Sequence, residues 1–151
     1  MGGEGVEPNF ETVAGTFGGQ SDNWWQMRQN ATASSDLQAT FSFSESVDGV
    51  CFTFYDVDLQ TGTGWEDVLE VTSSPSVGFT FTQPPGGTVT GSGTPADPFV
   101  GGSNVPSGDD TGNVTLVFND PITSFSVTYT NGDLSGSIQH VGISNIEFCT
   151  P

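Results

Sequence analysis

Apolar residues recur along this chain at every second position, and no stretch sustains the spacing of a helix. Leu37, Ala39, Phe41 and Phe43 alternate with Gln38, Thr40, Ser42 and Ser44, which predicts a strand with one buried face. Residues 50–58 are apolar on both faces, with Phe52 and Phe54 on one and Cys51, Tyr55 and Val57 on the other, so this strand belongs in the middle of a sheet. Strands follow at 67–72, at 77–82 with Phe79 and Phe81 on one face, and, more briefly, at 88–90. Val114, Leu116 and Phe118 alternate, then Asn119, Asp120 and Pro121 turn the chain. Phe125, Val127 and Tyr129 alternate next, and Asn131 with Gly132 is a strong turn signal. The last strand runs from about 140 to 149. Its apolar pairs, Val141 with Ile143 and Ile146 with Phe148, are out of phase by one, which predicts a bulge near Ser144 and Asn145. Residues 9–13 and 23–29 offer two further strands.

Eight or nine short strands separated by turn signals predict an all-β chain, an antiparallel β-sandwich of jelly-roll type. Residues 1–151 form one domain, in which 1–8 are read as disordered and the Gly-, Ser-, Pro- and Asp-rich stretch 91–112 as a long loop. The length suffices for a core of its own. Met1, Gly2 and Gly3 resemble an expression start, which places any export signal elsewhere. No apolar run approaches the length of a membrane-spanning helix.

Charge changes the picture most. Eighteen Asp and Glu face one Arg, no Lys and one His, for a formal net charge of −17. Such a surface repels phosphate, so nucleic acid is excluded as a partner and anionic membranes are disfavoured. Thr, Ser, Gly and Asn supply most of the remaining surface, a style common in secreted β-proteins. In that setting Cys51 and Cys149 are expected to pair rather than remain as two buried thiols. On the chain-entropy view, closing so long a loop is worth up to ~4–5 kcal/mol.

The acids gather in one place. Asp56 and Asp58 end the double-faced strand, and Glu66 and Asp67 return after a loop rich in Thr and Gly. Two strand residues separated by one point to the same side, and no cation in the chain is available to neutralise four carboxylates. An oxygen-only donor set of this kind suits calcium. The bland alternative is that Asp56 and Asp58 accept backbone hydrogen bonds at a strand end. Asp109 and Asp110 form a second, weaker candidate.

Trp24 and Trp25 are adjacent, so one is expected in the core and the other outside it. An exposed indole is a platform for sugar C–H groups, and Trp65 beside the acids is a further candidate. Arg28 is expected to pair with a carboxylate, either of the chain or of a ligand. His140 has no nucleophile motif or second His to work with, and reads as structural. Carboxylate pairs for glycoside hydrolysis are available, but nothing singles one out. Asn30 and Asn113 each begin an Asn-x-Thr acceptor pattern, which matters only on a eukaryotic secretory route.

The string FSFSESVDGVCFTFYDVD (41–58), with GNVTLVFNDPITSFSVTY (112–129) and GISNIEFC (142–149), resembles the β-sandwich modules of large bacterial extracellular, adhesin-like surface proteins. The match runs over about 37–149, and the acidic motif carries over to Asp56, Asp58 and Asp67. The resemblance implies an extracellular unit for adhesion, for a stalk, or for carbohydrate binding. The reading that results is a non-catalytic, calcium-bound module for adhesion or structural display in a larger, multidomain cell-surface protein, with a glycan or surface ligand as partner. A carbohydrate-binding module using Trp24, Trp25 or Trp65 is the alternative, and a glycoside-active enzyme the third.

Overall fold

The computed structural model describes residues 11–13, 15–21, 23–30, 36–61, 64–132 and 138–149. The expectations placed on residues 1–8, on residues 9 and 10 and on the rest of the acceptor pattern after Asn30 lie outside them. Eleven strands are described: β1 (Glu11–Val13), β2 (Trp24–Asn30), β3 (Leu37–Val47), β4 (Val50–Tyr55), β5 (Asp67–Ser74), β6 (Phe79–Thr82), β7 (Phe99–Val100), β8 (Val114–Phe118), β9 (Ile122–Asn131), β10 (Ile138–Ile143) and β11 (Glu147–Phe148). They form two antiparallel sheets packed face to face. The larger has the order β1-β2-β10-β4-β8-β6, with β11 also on β4, and the smaller has the order β3-β9-β5-β7. Among the described residues, no helix is long and apolar enough to cross a membrane.

Alternation decides which face of each strand meets the other sheet. Val114, Leu116 and Phe118 of β8 and Phe125, Val127 and Tyr129 of β9 are fully buried. Phe52 of the larger sheet stacks on Phe125 of the smaller with ring centroids 4.7 Å apart, and Phe41 stacks on the same ring at 4.7 Å. Burying a large apolar side chain is worth ~1.5–3 kcal/mol, so these rings are a large part of what holds the sheets together. β4, apolar on both faces, lies inside its sheet between β8 and the pair β10 and β11.

The structure departs from the pattern in three places. The last predicted strand is divided into β10 and β11, and the register on β4 slips by one residue between Ile143 and Glu147, the bulge expected near Ser144. Its Oγ accepts from Thr53 N at 2.9 Å while its own N–H donates to Thr53 O at 2.9 Å. Residues 88–90 make only an isolated bridge, Thr90 to Val100. The stretch read as one long loop contains β7, whose Phe99 is fully buried against Phe54, Phe79 and Phe81.

Cys51 and Cys149 form a disulfide with Cα atoms 5.8 Å apart and a sequence separation of 98. It fastens the chain beyond β11 to the central strand. Gly49 permits the approach, because a Cβ there would lie 2.2 Å from the Cys149 carbonyl oxygen.

Candidate functional site

β4 ends where Asp56 turns left-handed at φ 62°, a region few non-glycine residues enter. Beyond it the chain folds back as a narrow hairpin. Asp67 N donates to Asp58 O at 2.9 Å, Leu59 bridges Glu66, and Gln60 N donates to Trp65 O at 2.8 Å. Asp67 therefore takes the first inward position of β5, in line with Leu69 and Val71, and is fully buried. The Tyr129 hydroxyl donates to Asp67 Oδ1, and Asp58 N donates to Oδ2 at 3.0 Å. The Asp58 side chain, also buried, accepts from Trp65 Nε1 at 2.6 Å and from Val105 N at 3.0 Å. Gly101 lets the 101–105 segment lie against the Asp58 backbone, since a Cβ there would sit 2.2 Å from Asp58 O. Two carboxyl groups thus tie a hairpin, a strand of the smaller sheet and a distant loop into one knot.

Electrostatics in the knot follows first from burial. Burial pushes the Asp67 carboxyl well above the usual range, against the pull of its bonds from Tyr129 and Asp58. Asp58 is raised by burial too, with the Trp65 and Val105 bonds and the His140 charge opposing. Asp56 is pushed up to about 7, first by burial and then by the Asp58 charge. Tyr129 is raised well above its ordinary value by burial and by the Asp67 charge.

The four expected calcium ligands are neighbours but do not converge. Ligands around one calcium ion sit ~2.3–2.6 Å from it. Among the described residues, the group of His, Cys, Asp and Glu side chains that brings three ligand atoms within 4.8 Å of one another is Cys51, Glu147 and Cys149, whose sulfurs are already joined. Both oxygens of Asp58 and of Asp67 accept from protein donors. Glu66, next to Asp67 on the ladder, packs towards Gly132. Asp56 differs: its N–H donates to Asn113 Oδ1 at 3.2 Å, while its own Oδ1 is buried without a hydrogen-bond partner.

The second acidic candidate is a surface turn. Asp109 Oδ1 accepts from Thr111 N at 2.9 Å, and that bond holds its carboxyl below the ordinary range. Asp110 is exposed beside it.

The aromatic candidates are dispersed. Trp24 is buried and stacks on Phe17 at 5.1 Å, Trp25 is 39% exposed, and Trp65 is half-buried with its N–H spent on Asp58. Arg28 is exposed opposite His140 across β2 and β10, and no carboxylate of the described residues forms an ion pair with it. Its charge and, first, burial lower His140, whose ring stacks on Phe17 at 5.0 Å.

A concavity that the sequence did not single out lies on the outer face of the larger sheet. Thr53 and Tyr55 of β4, Thr115 of β8 and Thr82 of β6 line it together with Gln20, Gln83, Pro84, Asp110 and Asn113, and its volume is about 410 Å³. Register sets its threonine row: Thr53 and Thr82 both lie opposite Thr115. The available signal was the polar half of each alternation, which carries Thr rather than charge at these positions. Against known proteins, the chain matches no family model, no curated protein and no solved structure.

Proposed function

We propose that this chain is a non-catalytic extracellular β-sandwich module, used for adhesion or structural display within a larger bacterial surface protein. The observation that carries the reading is the disulfide from the central strand to residue 149, which leaves no free thiol among the described residues. Such bonds persist in oxidising compartments and are rare in the cytosol. The acid knot supports the same reading, because Asp58 and Asp67 spend their oxygens on internal donors and hold loops in place. Among the described residues the outer concavity has Asp110 as its one lining carboxylate, which supports binding there over two-carboxylate hydrolysis.

Two measurements test this. Reduction should lower unfolding stability by about 4–5 kcal/mol, the chain-entropy value for a loop near 100 residues. Beads coated with the oxidised chain should adhere to glycan- or protein-coated surfaces, and uncoated beads should not. Unchanged stability on reduction together with inert beads would end the proposal.

A second reading, a calcium ion at the end of β4, rests on the partnerless buried oxygen of Asp56. A hard cation would satisfy that oxygen and the charge of its neighbours. Its test is the melting temperature in millimolar calcium and in chelator: a rise with calcium, absent in Asp56→Asn, supports it, and equal midpoints retire it.

A further inference from the structure

The concavity on the outer face of the larger sheet has a floor and walls of unlike chemistry. Its floor is the cross-strand threonine row, in which Thr53 and Thr115 share a hydrogen bond at 2.8 Å between their hydroxyls. One ring, Tyr55, stands beside that row. Among the described residues three amides and one carboxylate form the walls, and no Lys or Arg lines it.

The walls are braced to one another. Gly19 N donates to Ser107 O at 3.2 Å, and Asn113 Nδ2 donates to Gly18 O at 2.8 Å, which joins the loop carrying Gln20 to the loop carrying Asp110. Thr88 N donates to Thr111 O at 2.9 Å, which joins the loop after β6 to the same segment. Gln83 is clamped at both ends of its amide, Nε2 to Val89 O at 2.9 Å and Oε1 from Val89 N at 3.1 Å. A primary amide has two N–H donors and two acceptor lone pairs, so Gln83 and Asn113 each keep hydrogen-bonding capacity after these bonds. Groups already held in place lose little freedom when a ligand arrives.

We infer that this concavity is a binding site for a neutral oligosaccharide. Hydroxyls and amides match a hydroxyl-rich ligand, and the lining includes Tyr55, an aromatic side chain of the kind that packs against sugar C–H groups. The volume falls within the ~300–1,000 Å³ of small-ligand sites. Charge selects among sugars: Asp110 at the wall and a chain of net charge −17 repel uronic acid and sulfated glycans, and no cation is present in the lining to receive them. The site needs no metal ion and uses none of the tryptophans.

This inference rests on the module's extracellular reading only for where the sugar is met. Calorimetric titration of the oxidised chain with neutral gluco-, xylo-, galacto- and chito-oligosaccharides, and separately with polygalacturonate and heparin, tests it. At least one neutral series should bind equally in calcium and in chelator, and the two polyanions should not. Tyr55→Ala and Gln20→Ala should each weaken binding by about 10-fold or more, and Trp25→Ala should leave it unchanged. Should Tyr55→Ala unfold, Thr82→Arg, an exposed position on an edge strand, obstructs the floor in a folded chain and should abolish binding. Silence with every neutral glycan, binding that follows Trp25 instead of Tyr55, or tight binding of the polyanions would overturn it. Coated beads that still adhere, with a silent groove, would leave the display reading standing and end this one alone.

Discussion

Asp67 and Asp109 are the same side chain in opposite surroundings. Asp67 sits on the core-facing row of β5 and takes its hydrogen bonds from Tyr129, 62 residues away, and from Asp58 across the hairpin. Asp109 is on the surface and takes its bond from Thr111, two residues along. The first is pushed up by burial and the second held down by a local N–H. A carboxyl group that closes long-range contacts contributes to the fold as a whole, whereas one that closes its own turn contributes only to that turn.

Substitution should separate the two sharply. Asp67→Ala leaves the Tyr129 hydroxyl and Asp58 N–H buried without an acceptor and opens a void, which should cost about 3 kcal/mol or more in urea unfolding. Tyr129→Phe removes one donor and keeps the ring, so its cost should be smaller, about 1–2 kcal/mol in the same assay. Asp109→Ala should leave the unfolding midpoint unchanged, and a shift comparable to that of Tyr129→Phe would mean that the surface carboxyl matters to the fold as the buried one does.

Acid should act on the two regions with opposite signs. The Asp56 carboxyl titrates at about 7 in the folded chain against 3.8 as its ordinary value, so between these pH values the folded state binds the extra proton. Its contribution is fully present below the lower value and is lost as pH rises through the upper one. Melting temperature should therefore rise on acidification from about pH 7 to about pH 5, and Asp56→Asn should flatten part of that rise. The remainder in the variant measures Asp58, Asp67 and the relief of general repulsion. Asp109, lowered instead of raised, loses its contribution only as pH falls through its folded value, so Asp109→Asn should not alter the slope in that window.

Much of the sandwich was legible because a strand with one buried face writes its alternation into the sequence. Residues 114–118 and 125–129 show this most clearly, and the two-sided apolar run at 50–55 announced the central strand. β7 was hidden because two residues between Pro98 and Gly101 are too few for a period. The acid cluster was legible as a concentration of charge, and even the inward position of Asp67 follows from its phase with Leu69 and Val71. Its donors were not legible, since Tyr129 and Val105 reach it only through the stacking of two sheets and the course of a loop. The outer concavity was harder still. Its threonines are unremarkable within each strand and become a row only through the register of β4, β8 and β6.

The disulfide has one more consequence. Tension applied to the backbone at residue 149 reaches Cys51 through a covalent link, so it is delivered to the middle of the larger sheet and not to β11, which is only two residues long. Peeling β11 and β10 away one hydrogen bond at a time is thereby bypassed. The strand that receives the load is held on both sides by neighbours, and these must be sheared together before the chain extends.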